Sequence, residues 1–274
     1  MVNRRKEILD YILKHGFASA DELALHLQVS PITIRRDMAM LEKDEHIRRI
    51  HGGAIPGGEL DFETDISSRL QLNAKEKQDI AQFAASLIQP GDKLFLDTGS
   101  TCYYLAKAMP ERLEITVITQ AIDNILALKM KRGVQVICLG GVLDAMLNAF
   151  IGPLAENQLE SFFADKAFLG AGAIDPQKGC LDDNVTEQRI KVRMNQHAHA
   201  SYMLLDSSKF GRRTLHQSIP IANIQSIITT TAAATSNEHH IRLLQEQGKR
   251  IYIADAREND IPTELSLKNK NDYI

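Results

Sequence analysis

The sequence has little cysteine and no long apolar segment. Its three cysteines, Cys102, Cys138 and Cys180, are odd in number and far apart, which excludes a disulfide framework and a CxxC metal pair. No run of about 18 apolar residues occurs, so we expect no membrane-spanning helix. The charged residues 4–7 stand where a secretory signal would need apolar residues. We therefore expect a cytoplasmic protein without a membrane partner.

The sequence also lacks the patterns of common nucleotide and metal sites. The GxG string at Gly170 and Gly172 has no third glycine at the spacing of a dinucleotide fingerprint, and no P-loop string occurs. Two histidine pairs, 197/199 and 239/240, lack a third ligand. We expect neither a cofactor nor a metal. The composition, with 44% apolar and 24% charged residues and a net charge of -3, is that of an ordered globular protein.

The N-terminal residues predict three short helices. Apolar residues recur at helical spacing over residues 4–14, and Ser19 is placed to cap a second helix that ends near Gln28. Ser30 and Pro31 then form the N-cap and first position of a third helix. Its buried stripe is formed by Ile34, Met38 and Leu41. This order of helices is typical of a helix-turn-helix motif. The second helix of that motif, here the third predicted helix, enters the major groove of DNA.

The opposite face of the third helix is basic. Thr33, Arg35 and Arg36 point away from the apolar stripe, so they are placed to meet base edges or phosphates. Asp37 would be repelled by phosphates, and we expect it to be structural, orienting an arginine or capping the hairpin. The alternative is a helical hairpin whose arginines only pair with acidic neighbours such as Glu42 on a solvated face.

A short alternating segment, Ile47–Ala54, follows with a Gly-Gly turn. It is suited to a β-hairpin wing. Its basic residues, Arg48, Arg49 and His51, are candidates for contacts with the DNA backbone.

These residues together resemble the DNA-binding domain of the DeoR family of bacterial transcriptional repressors. The resemblance rests on Arg5, Leu9 and Leu13 at four-residue steps, on the string Ser30-x-x-Thr33-Ile34-Arg35-Arg36-Asp37-Met38, and on the wing Arg48…His51-Gly-Gly-Ala54. It implies binding of double-stranded operator DNA by Ser30, Thr33, Arg35, Arg36, Arg48, Arg49 and His51. One small domain reads few base pairs, so we expect a homodimer or homotetramer on paired half-sites.

The rest of the chain predicts an α/β domain. The expected boundaries are a DNA-binding domain at 1–56, a linker at 57–74, an effector-binding and oligomerisation domain at 75–257, and a polar tail at 258–274. Apolar runs alternate with helical patterns, which favours a parallel sheet. The run 167–174 is expected to be one strand. Ligands of such sheets bind beyond the carboxyl ends of the strands.

Several loops and one helix carry candidate ligand-binding residues. The loop Asp97–Thr101 leads into a helix and offers an anion cradle, or else a simple capped turn. Gly140 with Gly141, and Gly170 with Gly172, permit close approach of a backbone or ligand. The loop 206–211 brings Asp206 and Lys209 to the same edge. Glu187 and Lys191 are spaced as a helical pair, which read alone favours an exposed salt bridge.

In this order, these segments resemble the effector domain of the same DeoR family. The resemblance implies a fold similar to ribose-5-phosphate isomerase and a regulator whose DNA affinity is altered by a phosphorylated sugar. It implies that phosphate binds Gly99, Ser100, Thr101 and Lys209, and that the polyol binds Asp97, Glu187 and Asp206. The sequence departs from the family pattern at two positions that flank this site. Gln120 stands where members often have Asn, and no basic residue follows Gly141.

The sequence thus predicts an N-terminal winged helix-turn-helix followed by a parallel-sheet α/β effector domain. The alternative function is a sugar-phosphate isomerase or deaminase that carries a DNA-binding domain. Asp175, Asp182 and Glu187 could each abstract a proton, but nothing in the sequence brings two of them to one substrate carbon. We expect a regulator of sugar catabolism and no enzyme.

Overall fold

A computed structural model of the chain describes residues 2–15, 18–43, 46–50, 53–56, 66–111, 113–212 and 214–255. These residues form two compact units, which divide between Leu72 and Asn73. Each unit has its own apolar core. The predicted polar tail at 258–274 lies outside the described residues.

The N-terminal unit combines short helices with a small antiparallel sheet, whose strand order is β1-β3-β2. In chain order its elements are α1 (Val2–His15), β1 (Ala18–Ser19), α2 (Ala20–Leu27), α3 (Pro31–Lys43), β2 (Ile47–Ile50), β3 (Gly53–Pro56) and α4 (Ile66–Gln71). The three predicted helices and the hairpin wing are confirmed. Helix α4 falls inside the segment 57–74 predicted as a linker, so the second part of that segment has regular structure.

Local hydrogen bonds set the ends of these helices. Ser19 Oγ accepts the amide of Glu22 at 3.0 Å, and the Glu22 carboxylate accepts the amide of Ser19 at 3.3 Å. This capping box fixes the start of α2. Gln28 ends α2 in the left-handed conformation, with φ of +53°. Ser30 Oγ then accepts the amide of Thr33, as predicted for an N-cap.

The core of the N-terminal unit joins all three predicted helices to the wing. Its largest fully buried side chains are Ile8, Ile12, Leu23, Ile34, Met38 and Ile47. The predicted stripe on α3 is therefore confirmed. Burial of one face of α3 leaves the other face for solvent.

Asp37 has the structural position that its sequence context predicts. Its side chain is buried on α3, and its carboxylate accepts from Arg4 Nε at 2.6 Å and from Arg5 Nε at 3.4 Å. Both arginines lie on α1. The ion pair therefore joins the first helix to the third and orients two arginines.

The C-terminal unit is built on a seven-stranded sheet with all neighbouring strands parallel. Its elements are α5 (Ala74–Ser86), β4 (Lys93–Leu96), α6 (Ser100–Ala108), β5 (Ile115–Thr119), α7 (Ile122–Leu128), β6 (Val134–Cys138), β7 (Val142–Asp144), β8 (Ala149–Ile151), α8 (Pro153–Leu159), β9 (Ala164–Leu169), β10 (Ala173–Asp175), β11 (Gly179–Asp182), α9 (Val185–Gln196), β12 (Ala198–Leu204), β13 (His216–Pro220), β14 (Ser226–Thr229), α10 (Thr231–Ser236), α11 (Glu238–Glu246) and β15 (Arg250–Ile253). The strand order is β15-β14-β12-β9-β4-β5-β6. The predicted parallel sheet is confirmed.

Helices cover both faces of this sheet. On β4, Phe95 packs into one apolar cluster, whereas Leu94 and Leu96 pack into the other. Alternate side chains of a strand point to opposite faces, so a strand buried on both faces reads as a continuous apolar run. This explains why the strands were recognisable as short apolar segments.

The single strand expected over 167–174 is wrong. The chain leaves the parallel sheet at Gly170, whose amide donates to Asp97 Oδ2 at 3.2 Å. It then forms β10, which belongs to a separate antiparallel sheet of order β10-β11-β13. A second addition is the antiparallel hairpin β7–β8. Neither feature could be predicted from apolar runs, because an apolar run does not show which strand a segment pairs with.

We expect Asp37→Asn to destabilise the N-terminal unit by about 1–2 kcal/mol, because two arginines lose their buried partner. Hydrogen exchange of the full chain measures this as faster exchange in residues 2–15 and 31–43. Asp21→Asn is the matched control, since the Asp21–Arg35 pair is exposed at 3.5 Å. Unchanged exchange combined with lost sequence discrimination would contradict a structural role for Asp37.

We also expect Gly141→Ala to lower the free energy of unfolding by about 1–3 kcal/mol. A Cβ at Gly141 would lie 2.6 Å from the carbonyl oxygen of Ile151, so the hairpin β7–β8 would have to shift. The matched control is Gly140→Ala, whose Cβ would meet its nearest neighbour at 3.7 Å. Urea denaturation of the full chain compares the two variants, and equal stabilities would refute the close-approach explanation.

Candidate DNA-binding face and effector site

The first two turns of α3 present a basic, solvent-exposed surface. Ile32 is 75% exposed, and Arg35 and Arg36 are both exposed. Ser30 and Thr33 lie beside them, with their hydroxyl oxygens 2.8 Å apart. The structure thus brings together the four predicted DNA-binding residues that come from this helix and its N-cap.

The wing contributes the remaining predicted DNA-binding residues. Arg48 and Arg49 lie in β2, paired with Ile55 and Ala54 of β3. Their side chains and the whole of His51 lie outside the described part of the chain.

The predicted effector residues converge at the carboxyl edge of the parallel sheet. Asp97 follows β4, Gln120 follows β5, Gly170 follows β9, and Asp206 lies just beyond β12. These strands are neighbours in the sheet. Residues that follow neighbouring parallel strands meet at one edge, which is the usual ligand position.

Asp97 organises this edge from a fully buried position. Its carboxylate accepts from the amide of Gly170 at 3.2 Å and from Gln120 Nε2 at 3.3 Å. Its carbonyl oxygen accepts from Asn124 Nδ2 at 2.8 Å. Burial raises the pKa of the Asp97 carboxyl, and the nearby Lys191 opposes that rise. Asp97, predicted to contact the polyol, has its carboxylate engaged by protein groups.

The loop after Asp97 has the form of an anion cradle. Gly99 has φ of +99° and stands at the N-cap of α6, and Ser100 and Thr101 form the first turn. The first amides of a helix have no carbonyl partner within it, and the helix dipole favours an anion there. A Cβ built at Gly99 would meet no atom within 4 Å, so space is open in front of the turn.

Lys191 is the centre of a buried ion cluster. Its Nζ lies 2.8 Å from Asp182 Oδ2 and 3.8 Å from Asp97 Oδ2. Burial alone would lower the pKa of Lys191, but Asp182, Asp97 and Glu187 outweigh it and raise the pKa. The lysine is therefore held charged.

The exposed Glu187–Lys191 salt bridge that helical spacing favours is absent from the described ion pairs. Lys191 is buried and bonds Asp182, whereas Glu187 accepts a hydrogen bond from Thr98 Oγ1. Spacing along one helix could not reveal Asp182, because this partner comes from β11 of the separate antiparallel sheet.

Asp206 lies in a second cluster, which includes the start of α5. Asp206 Oδ1 accepts from Asn73 Nδ2 at 2.8 Å and from the amide of Ser208 at 3.0 Å. Burial would raise the pKa of Asp206, but Lys209, Lys77 and the hydrogen bonds from the Ser208 hydroxyl and from Asn73 together hold that pKa below its usual value. Asp206 and Lys209 are thus brought together, as predicted from the loop.

A further set of bonds attaches the same loop to α5. Glu76 accepts from the amide of Ser207 at 2.9 Å, from Ser207 Oγ at 2.6 Å, and from Thr230 Oγ1 at 2.6 Å. Asn73, Glu76 and Lys77 were not predicted from the sequence. They precede the first strand of the sheet, where no motif signals a ligand site.

The four glycines predicted to allow close approach of a backbone or ligand lie against groups of the protein itself. The amide of Gly140 donates to Gln158 Oε1 at 3.2 Å, and Gly141 lies against Ile151. The amide of Gly172 donates to Asp182 Oδ1 at 2.8 Å. Gly170 and Gly172 thus hold Asp97 and Asp182 in place, whereas Gly140 and Gly141 position the hairpin β7–β8.

Within the described ranges, no three His, Cys, Asp or Glu side chains are grouped to hold a metal ion. No helix among the described residues is long and apolar enough to cross a membrane.

Known proteins related to this chain match it over both units. The L-fucose operon activator of Haemophilus influenzae is 34% identical over 229 residues, which is 83% of this chain and 92% of that one. The transcriptional repressor GlcR of Bacillus subtilis is 31% identical over 251 residues, 92% of this chain and 95% of that one. The regulator YulB of Bacillus subtilis is 33% identical, covering 84% of this chain and 88% of that one.

Solved structures align only weakly. Ribose 5-phosphate isomerase A of Methanocaldococcus jannaschii is 17% identical with a TM-score of 0.38, covering 50% of this chain and 55% of that one.

Two family models match the chain. The DeoR-like helix-turn-helix domain matches residues 4–56, and the DeoR C terminal sensor domain matches residues 72–231. The matches reproduce the order of the exposed helix-turn-helix and the α/β unit described above. The chain therefore belongs to the DeoR family of transcriptional regulators.

Proposed function

We propose that the protein represses a sugar-catabolism operon and that a phosphorylated sugar intermediate changes its affinity for operator DNA. The observation that carries this proposal is the exposed basic face on the first two turns of α3, within a DeoR-like helix-turn-helix. Related proteins are named as an L-fucose operon activator and as a transcriptional repressor. A regulator of this kind acts in the bacterial cytoplasm, where the DNA is.

The DNA contacts divide into two kinds. Thr33, Arg35 and Arg36 meet base edges in the major groove, with Ser30 holding Thr33 in position. The wing residues Arg48, Arg49 and His51 contact the phosphate backbone, which adds affinity without sequence preference.

The effector site takes the phosphate at the start of α6. Gly99, Ser100 and Thr101 supply amides and hydroxyls, and Lys209 supplies positive charge. Glu187, Asp97 and Asp206 surround the polyol. Asp97 acts through Gly170 and Gln120, since its carboxylate is already bonded to them.

The coupling between effector and DNA runs through α5. Helix α5 begins directly after the boundary between the two units, and Asn73 and Glu76 bond the loop that carries Asp206 and Lys209. An effector that binds Lys209 competes for this loop and so alters the start of α5. The protein then has two states, one with high and one with low affinity for DNA. A ligand shifts the balance between them only by as much as its own affinity differs between the two states.

The active form is at least a dimer, because one helix-turn-helix reads too few base pairs for specificity. We propose that the C-terminal unit makes the interface.

The enzyme alternative is disfavoured by the surroundings of its candidate bases. Asp175 Oδ1 accepts the amides of Gln177 and Lys178 at 2.8 and 2.9 Å, in the turn between β10 and β11. Asp182 is paired with Lys191. We propose that the protein turns over no sugar phosphate.

We expect Arg36→Ala to weaken binding to the preferred duplex by about 1–3 kcal/mol and to flatten the preference over a scrambled duplex. The preferred duplex is one that the wild type selects from a random-sequence library. Lys43→Ala is the control, because Lys43 is an exposed cation in the last turn of the same helix. Fluorescence anisotropy at fixed salt measures both, and an equal loss of sequence preference in the two variants would refute base readout by Arg36.

Two variants separate effector binding from coupling. Lys209→Ala should weaken binding of a sugar phosphate, because the phosphate loses a charged partner. Asn73→Ala should keep that binding but reduce the effect of the sugar phosphate on DNA affinity. Calorimetry measures the first quantity and anisotropy the second, for the sugar phosphate that acts on the wild type. A full DNA response in Asn73→Ala would show that α5 does not transmit it.

A further inference from the structure

Buried polar atoms lack hydrogen-bond partners next to the ion cluster of Lys191. Among the described residues, none bonds Thr214 Oγ1 or either ring nitrogen of His216, although all three atoms are buried. Interiors pair nearly all such atoms, and an unpaired one costs about 1–3 kcal/mol. Three unpaired atoms on two residues so close in sequence therefore require an explanation.

Strand pairing places His216 beside Asp182. The two residues are directly opposite each other in the antiparallel pair β11–β13. Side chains of opposite residues share one face of a sheet, with Cβ atoms about 4.5–5.5 Å apart. The Asp182 carboxylate on that face bonds Lys191 at 2.8 Å and the amide of Gly172 at 2.8 Å. His216 therefore faces the same cluster.

Thr214 lies close to Gly172. Its methyl carbon lies 3.4 Å from the position that a Cβ on Gly172 would take. Gly172 in turn bonds Asp182. Thr214 and His216 thus lie next to Asp182, which Lys191 connects to Asp97 of the proposed effector site.

Gln120, which bonds Asp97 of the same cluster, also has a buried polar atom without a partner among the described residues. Gln120 is fully buried and donates from Nε2 to Asp97, while its Oε1 has no partner among the described residues. An amide oxygen accepts hydrogen bonds, and a threonine hydroxyl can both donate and accept them. A neutral imidazole has one donor nitrogen and one acceptor nitrogen. Sugar hydroxyls can both donate and accept, so they match all of these groups.

We infer that Thr214 and His216 are effector-binding residues, which hydrogen-bond the hydroxyl groups of a phosphorylated sugar. This inference rests on the proposed function and extends its site to β13 and the residues just before it. The phosphate lies at α6, the ion cluster of Lys191 fixes Asp182, and Thr214 and His216 bind the polyol from the antiparallel sheet. These two residues read the hydroxyl pattern and contribute nothing to phosphate binding.

The test compares a sugar phosphate with inorganic phosphate on the full chain. Calorimetry first identifies the tightest binder of the wild type among the 5- and 6-phosphates of common pentoses and hexoses. Thr214→Val removes only the hydroxyl and keeps the shape, and His216→Phe removes both ring nitrogens. Each variant should raise the Kd of the sugar phosphate about five-fold or more, with the Kd of inorganic phosphate changed less than two-fold.

A matched control distinguishes ligand binding from the removal of any unpaired hydroxyl. Ser201 Oγ is also buried and without a partner in the described part of the chain, but it lies in β12. Ser201→Ala should leave both dissociation constants unchanged. Binding of the preferred duplex without sugar phosphate should also be unchanged in Thr214→Val, which shows that the variant is folded.

Three results would overturn the inference. Wild-type affinity for the sugar phosphate in Thr214→Val and His216→Phe would contradict it and leave the proposed function intact. An equal loss for inorganic phosphate would also contradict it, by placing these residues at the phosphate. If the wild type binds no sugar phosphate of the panel, the proposed effector class fails, and the inference fails with it.

Discussion

The buried ammonium of Lys191 holds together the carboxyl edge of the parallel sheet in the C-terminal unit. It lies between Asp182 of β11 and Asp97 of the loop after β4, at 2.8 and 3.8 Å. A buried charge is stable only when it is paired and hydrogen-bonded. This requirement joins α9, the parallel sheet and the small antiparallel sheet at one point. Gly170 and Gly172 complete the arrangement by donating their amides to the same two carboxylates.

The ion cluster of Lys191 and the loop of Asp206 are two separate buried clusters at this edge. The ion cluster is fully enclosed, whereas the loop of Asp206 and Lys209 is held by side chains at the start of α5. Asn73 and Glu76 stand at the beginning of the C-terminal unit, directly after the chain leaves the N-terminal one. In the proposed coupling, a ligand at this loop acts on the segment nearest in sequence to the N-terminal unit.

Sequence predicted the parts of the structure that depend on neighbours along the chain. Ser30, Pro31 and the stripe of Ile34 and Met38 signal α3 within a few residues, and charge repulsion alone identified Asp37 as structural. Pairings between distant residues were not predictable. Asp206 and Asn73 are 133 positions apart, so no spacing rule connects them.

The same limit applies to strand partners and to buried charges. β1, with two residues, is a strand only because it pairs with β3. Helical spacing read alone favours an exposed salt bridge between Lys191 and Glu187, but Lys191 is buried and bonds Asp182. Which carboxylate satisfies a buried lysine depends on the packing of three elements, and that information is not local.

The most direct test of the account is capture of genomic DNA by the purified protein at moderate salt, with and without a pool of sugar phosphates, followed by sequencing. The account predicts discrete fragments next to genes of sugar catabolism, and their release by the pool. Fragments that are captured but not released would contradict control by a sugar phosphate. The absence of any enriched fragment would contradict the account of the protein as a sequence-specific regulator.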